Sequence, residues 1–422
     1  LQDCAAAAGA ALRQPWLPPW LPDAVRAETA SLSARSSYHF ADMAPAAVEA
    51  LYGKTLPLSA SKLDCFAGCR YAFFLQYGLR ALPWKQAEFD APLFGSFVHD
   101  VLEHVVREAQ SQGGFAALTD AQVAALTERC MDACMQTYLP QGDARASREG
   151  YLSTRNRQEA AAVVLDVARE LRLSQFTPAA EELTFAPGAQ MPPIVYHASR
   201  GDGLLTGKID RVDTYEKDGT TYFRIVDYKT GRKDFSYTDL LYGKDLQMIL
   251  YLFALQENQK KSGHPMQPAG ALYVPGRCDM IRLEPGEDAG EADAERRKQL
   301  RRKGLVLQDE AILRAMEHYD DEPQYLPVQL KKDGLTGDLA TPAQLAALER
   351  FVTGQVAAMI DEILSGKTQP NPVDRGPADS ACRWCDYSSA CHKDVCAVSP
   401  RRFAAVKADE FWQEIERRQR HG

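Results

Sequence analysis

LLTGKIDRVDTYEKDGTTYFRIVDYKTG, residues 204–231, decides how this chain is read. Two runs rich in Val, Ile, Thr, Tyr and Phe, 204–215 and 221–230, flank the polar segment EKDG, so the stretch predicts a β-hairpin. Asp227 and Lys229 are two residues apart, and on a strand that spacing points both side chains to one face. Asp210 lies on the preceding strand. A four-residue turn at 216–219 pairs Asp210 with Ile225, whereas a turn of Asp218-Gly219 alone pairs it with Asp227. Both registers put Asp210 on the face of Asp227 and Lys229, and a three-residue loop without a bulge would not. Two close carboxylates repel unless they share a proton or a cation. A divalent metal such as Mg²⁺ or Mn²⁺ resolves that repulsion, taking oxygen ligands and keeping water for chemistry. Lys229 is then placed to orient or help deprotonate that water, or to balance developing charge.

Working outward, SASKLDCFAGCRYAFFLQYGL (59–79) predicts a helix with Ser61 as N-cap and Asp64 three residues on. GSFVHDVLEHVVREAQ (95–110) predicts a second, with Phe97, Val98, Val101, Leu102 and Val105 on its apolar face. More helix is expected to about residue 176, then a strand at EELTF (181–185) before the hairpin. After it come a helix at DLQMILYLFALQ (245–256), a strand at ALYVP (271–275) and a helix at 342–365. The charged stretch 286–346 reads as a candidate insertion.

GKIDRVD…RIVDYKTG resembles the RecB-type branch of the PD-(D/E)xK nuclease superfamily. GSFVHDVLEHV resembles that branch's G-x-x-x-H-x-x-L-E helix, which implies that His99 is a metal ligand beside Asp210 and Asp227. DLQMILYLFAL resembles its Q-x-x-x-Y helix, implying that Gln247 and Tyr251, one turn apart, line the site. EELTF resembles the strand that carries a glutamate near the site, with Glu182 preferred over Glu181. Lys208-Ile209 stands where the superfamily's name has a proline, and Tyr228 stands at the second acidic position. The resemblance implies that the Tyr228 backbone carbonyl serves the metal. His104 reads as a solvated or packing histidine.

Four of the ten cysteines fall between Cys382 and Cys396, a crowding that points to metal. Cys382, Cys385 and Cys391 form C-x₂-C-x₅-C. Read locally, Cys396 completes a set that suits tetrahedral zinc. Read with the family, the fourth ligand is Cys69, within S-x-S-x-L-x-x-F-x-x-C (Ser59 to Cys69), and the group held is a 4Fe-4S cluster stapling the two ends of the domain. Cys65 is then a neighbour and Cys396 spare. Cys4, Cys130, Cys134 and Cys278 read as ordinary residues.

The resemblance spans about residues 50–400 and is strongest to the AddB-type nuclease regions of bacterial helicase-nucleases. It implies a restriction-endonuclease-like α/β fold, a mixed sheet flanked by helices with helical additions and an Fe-S-stapled terminus. Implied partners are single-stranded DNA at unwound ends and an AddA-type helicase/nuclease subunit, in double-strand break repair. Residues 1–57 are expected to be a lead-in from a preceding domain, 58–400 the nuclease domain, and 401–422 a helical tail. The start at Leu1 adds the expectation of a longer parent protein. Two other readings are a standalone Fe-S exonuclease of the same superfamily and a non-catalytic DNA-binding module with structural zinc.

The bulk numbers are those of an ordinary globular chain: 422 residues, 45% hydrophobic and 25% charged. The net charge of −8 argues against coating nucleic acid through the overall field, while leaving room for a local basic channel. RRKQLRRK (296–303) and ERRQRH (416–421) read as solvated helix faces. GKT at 53–55 and at 366–368 lacks the glycine five residues upstream, where Val48 and Asp361 sit, so no phosphate loop is formed. The N-terminus has no signal-peptide pattern, and the longest apolar run, MILYLFAL (248–255), is too short to span a membrane. These features predict a soluble, cytoplasmic protein.

Overall fold

A computed structural model describes residues 41–82, 91–138, 148–277, 281, 289–332, 334–376, 379–391 and 400–421. Its centre is a six-stranded mixed sheet: β1 (Thr177–Phe185), β2 (Gly207–Lys217), β3 (Thr220–Lys229), β4 (Gln267–Pro275), β5 (Lys303–Leu307) and β6 (Leu339–Ala340). The spatial order follows the chain order, and only β3–β4 and β5–β6 are parallel. The charged stretch 286–346, expected as a candidate insertion, thus supplies β5 and β6.

The hairpin β2–β3 closes on the two-residue turn, with Lys217 opposite Thr220 and Arg211 opposite Val226. Asp218 and Gly219 both have positive φ, 50° and 76°, the backbone of a type I′ turn that matches strand twist. Continuing this register by one residue sets Asp210 across from Asp227.

Alternate residues of the sheet enter two apolar cores. Phe223, Ile225, Ala271 and Tyr273 pack against helices α3 (Gln247–Lys261) and α4 (Pro342–Leu364). Val226, Tyr228 and Val274 pack on the other side against α1 (Ala91–Ser111) and α2 (Arg148–Leu173). Helices on both faces explain why β3 and β4 are nearly all buried. The run MILYLFAL is the fully buried body of α3. Among the described residues, no helix is long and apolar enough to cross a membrane.

Three local expectations change. The helix expected to be capped by Ser61 starts at Ala60 and is capped by Ser59, whose side chain accepts from the Lys62 N–H at 3.3 Å. That helix also breaks at Cys69 before resuming at Arg70. The run RRKQLRRK is not a solvated helix face throughout, because the helix ends at Leu300 and Arg302 is fully buried. The guanidinium of Arg302 instead donates to Glu170 Oε2 at 2.6 and 3.0 Å and to Asp166. Arg417 and Arg418 do sit on an exposed helix face, paired with Glu414.

Beneath the sheet lies a charge lattice. Arg211, Asp213 and Arg224 face α2 and are completely buried. Both Asp213 oxygens accept from Arg211, at 2.8 and 3.0 Å, and Arg224 Nε donates to Oδ2 at 2.8 Å. Arg224 also reaches Glu170 at 3.2 Å. Burial alone would push the Glu170 carboxyl up, but the charges of Arg302, Arg224 and Arg211 bring it down to about 2. Lattice charges balance: three guanidiniums against Asp166, Glu170 and Asp213.

Candidate active site

The ends of β1, β2 and β3, the start of α3 and one turn of α1 converge on a half-buried cluster. Asp227 is 3% exposed. Its Oδ1 accepts from Gln247 Nε2 at 2.8 Å, and its Oδ2 faces the Lys229 ammonium at 2.5 Å without any well-aligned hydrogen-bond donor. Lys229 Nζ also donates to Gln247 Oε1 at 3.4 Å. Gln247 opens α3 and so bridges the two. Burial first, then the charge of Asp210, pushes the Asp227 carboxyl up to about 6, against the opposing pull of Lys229 and His99.

Asp210 Oδ2 accepts the Tyr228 backbone N–H at 2.8 Å and lies 3.3 Å from His99 Nδ1. The other ring nitrogen of His99 is 2.6 Å from the Tyr228 carbonyl oxygen. Burial alone would lower the His99 pKa. The hydrogen bond and charge of Asp210, the charge of Asp227 and the Tyr228 carbonyl outweigh it, so His99 ends above its ordinary value. Tyr228 serves both faces of the sheet. Its backbone lies in this cluster, while its hydroxyl accepts from Arg211 Nη1 at 2.7 Å in the charge lattice.

Glu182 and Asp210 stand between the paired residues Glu181–Arg211 and Leu183–Ile209. Glu182 has φ +53°, a left-handed conformation rare for a non-glycine residue inside a strand. Its carboxylate pairs with Lys208, and ligand atoms of His99, Glu182 and Asp210 all lie within 4.8 Å of one another. The helix spacing of Tyr251 places it one turn beyond Gln247, where it packs edge-on against Phe185. Burial, then the charges of Asp227 and Asp210, raise its phenol to about 12. The ring fits there because Gly207 has no Cβ: one would stand 2.5 Å from Phe185 and 2.7 Å from Tyr251.

All six side chains expected at the site, His99, Asp210, Asp227, Lys229, Gln247 and Tyr251, are therefore brought together, as is the Tyr228 carbonyl. Glu182 joins them. His104 points elsewhere, its Nδ1 at 2.7 Å from the Asp100 carbonyl.

The donor set fits a hard divalent cation. It combines carboxylates, a backbone carbonyl and one imidazole, and includes a buried carboxylate oxygen with no aligned donor.

A second convergence lies about Cys69, at the break between two helices. Cys69, Cys382, Cys385 and Cys391 line one small cavity closed by Tyr71, Pro370, Pro372 and Tyr387. The surrounding segments are clasped by hydrogen bonds of their own: the Arg70 N–H donates to Asn371 Oδ1 at 2.9 Å, and Arg401 to the Asn371 carbonyl at 2.8 Å and to Ala67. Cys65 turns away, its thiol 3.5 Å from Gln76 Oε1. Burial, then neighbouring Cys69, raises that thiol to about 12. Cys396, the local alternative ligand, lies outside the described residues, as do Cys4 and Cys278.

The family model described as the PD-(D/E)XK nuclease superfamily matches residues 57–392. The AddB-type ATP-dependent helicase/deoxyribonuclease subunit of Caldanaerobacter subterraneus subsp. tengcongensis is 32% identical over 359 residues, covering 82% of this chain and 30% of that protein. The same-named proteins of a Thermoanaerobacter species and of Acetivibrio thermocellus are each 31% identical, over 88% and 86% of this chain and 33% and 32% of their own lengths. The chain thus spans about a third of the curated relatives it matches.

Proposed function

Since this chain belongs to the PD-(D/E)XK nuclease superfamily, we propose that the cluster around Asp210, Asp227 and Lys229 hydrolyses phosphodiester bonds of single-stranded DNA. The observation that carries the reading is the Asp227 carboxylate, buried beside a second carboxylate and an ammonium with one oxygen lacking an aligned donor. Such an arrangement is costly to build and is concentrated at functional sites.

His99, Glu182, Asp210, Asp227 and the Tyr228 carbonyl would hold Mg²⁺ or Mn²⁺. When bound, that ion supplies Lewis-acid stabilisation of the phosphate oxygens and a water of lowered pKa. Lys229, fixed between Asp227 and Gln247, orients the attacking water and offsets the negative charge that grows on the phosphate. Water oxygen bonds to phosphorus as one ester P–O bond breaks, the water giving up a proton to solvent and the leaving oxygen taking one to depart as an alcohol. Gln247 holds Asp227 and Lys229 in mutual register, and Tyr251 with Phe185 walls the underside against bulk water.

Cys69, Cys382, Cys385 and Cys391 would hold a 4Fe-4S cluster, which when bound adds a cross-link to the clasp between residues 67–71 and 371–401. The wider reading, supported by the helicase/deoxyribonuclease relatives, is the nuclease portion of an AddB-type helicase-nuclease. It would work in the cytoplasm as an exonuclease on unwound strands, with an AddA-type helicase as its partner, in recombinational repair.

The test is cleavage of an end-labelled single-stranded oligonucleotide in Mg²⁺ or Mn²⁺. Asp227→Ala is expected to lower the rate by at least about 100-fold. An Asp227→Ala chain that cuts at the unsubstituted rate refutes the assignment.

A further inference from the structure

Beside the cluster, at the carboxyl ends of the parallel pair β3–β4, opens a cavity of about 360 Å³. Open α/β sheets bind ligands at that end of their strands. Lys229, Arg232, Lys233, Arg277 and Lys303 line the cavity against only two carboxylates, Asp234 and Glu295. The lining is therefore rich in cationic groups, although Lys229, Lys233 and Arg277 also meet carboxylates just outside it, Asp227, Asp245 and Glu159.

Lys229 belongs to both sites. Its ammonium meets Asp227 on one side, and on the other it lies 6.0 Å from the centre of the Tyr273 ring. Lys233 lies 5.8 Å from the same ring. The cation-rich cavity is therefore continuous with the carboxylate cluster through one side chain. Carboxylates end at β1–β3, and cations take over from β3 to β5.

Lys233 pairs with Asp245, and Arg277 with Glu159 at 3.2 Å. Lys303 is held by Asp234 at 3.5 Å, with Asp234 itself 80% exposed. Such solvent-exposed pairs are worth little and exchange readily for a stronger anion. Arg232 is exposed at the rim.

We infer that this cavity is the subsite for the nucleotide next to the cleaved bond, with Arg232 and Lys303 contacting its phosphodiester. The inference rests on the nuclease reading of the neighbouring cluster. A volume of about 360 Å³ takes roughly one nucleotide unit, and a positive groove tracking the backbone is how single strands are held without regard to sequence.

The experiment measures association of a fluorescent single-stranded oligonucleotide with the chain in EDTA, across a range of KCl concentrations, with Mg²⁺-dependent cleavage run in parallel. For single strands each phosphate contact contributes about 0.7 to the slope of log K against log salt. Arg232→Gln and Lys303→Gln should each reduce the slope by about 0.7, which at 50 mM salt is about eightfold weaker association. In cleavage the loss should fall on KM rather than kcat. Lys331→Gln, an exposed lysine on the Val328–Lys331 strand, is the control. Slopes equal to the control, or no association by the unsubstituted chain, overturn the subsite. Reduced slopes in a chain that does not cleave leave single-strand binding at the cavity standing, and overturn the nuclease reading together with the cavity's place beside a cleaved bond. Cleavage with control-like slopes overturns the subsite alone.

Discussion

Asp227→Asn should stabilise the metal-free chain while removing its response to metal. Asp227 is 3% exposed and its carboxyl is pushed from 3.8 up to about 6, by burial and then by Asp210. A rise of about two units corresponds to about 3 kcal/mol at 1.36 kcal/mol per unit. Because the folded value lies above the unfolded one, the unfolded chain ionises more easily. The group's contribution to stability is full below pH 3.8 and is lost as pH rises through about 6. At pH 8 the penalty is complete, at about 3 kcal/mol; at pH 5 it is roughly half of that. The amide carries no charge and keeps an oxygen for Gln247 Nε2, now at 2.8 Å from Asp227 Oδ1. Lys229 loses its carboxylate partner, so about 3 kcal/mol is a ceiling and a gain of about 1–3 kcal/mol is expected. Urea unfolding in EDTA at pH 8 and pH 5 reads the difference. With Mn²⁺ at about 100 times its Kd, the unsubstituted chain should gain about 2.7 kcal/mol and the variant much less, closing or reversing the gap between them. A variant less stable than the parent in EDTA at pH 8, or a difference independent of pH, would refute the buried-charge argument.

Three further outcomes follow from other parts of the molecule. Chain purified anaerobically should be brown with about four irons; Cys385→Ser should lose the colour and Cys65→Ser keep it, and a colourless parent with one zinc would reject the cluster. Arg211→Ala strips Asp213 of two hydrogen bonds at a fully buried position, so urea unfolding should show a loss of about 3–5 kcal/mol; a loss under about 1 kcal/mol would mean the lattice is not coupled to stability. Gly207→Ala drives a methyl against Phe185 and Tyr251; a cost of about 1–3 kcal/mol in urea unfolding is expected, together with slower cleavage as Tyr251 shifts.

Much of the site is legible in the sequence because its information is local. Asp218-Gly219 permits the positive φ values of a two-residue turn, and that turn sets the register that opposes Asp210 and Asp227. Gln247 and Tyr251 are one helical turn apart, so finding one finds the other. The charge lattice is illegible for the opposite reason. Alternating Arg211, Asp213 and Arg224 look like the wet face of a hairpin, and only the tertiary arrangement brings Glu170 and Asp166 from α2, and Arg302 from before β5, to meet them. Arg302 reads as solvated because the basic residues around it hide one buried member. The same holds for β5 and β6, short strands that are stabilised by a sheet built elsewhere. Resemblance favours Glu182, but nothing in EELTF announces its left-handed backbone.

The two faces of the sheet meet at Tyr228, and this bears on why a buried lattice of six charged groups persists. Buried ion pairs seldom add net stability over apolar residues of similar volume, so stability alone does not account for it. Register does. A one-residue slip of β3 would carry Asp227 and Lys229 to the α2 side of the sheet and Tyr228 to the α3 side. Apolar residues such as Ile225 and Val226 could tolerate that exchange, since both cores are greasy. Arg224 could not, because it would leave Asp213 and Glu170 for the apolar packing around Phe223, Ile225 and Ala271. The lattice therefore makes the native register far cheaper than its neighbours. Tyr228 transmits the constraint most directly: its hydroxyl is fixed by Arg211, while its own N–H and carbonyl, on the same residue, meet Asp210 and His99. Charges that do no chemistry on one side thus hold in position the backbone that the chemistry needs on the other.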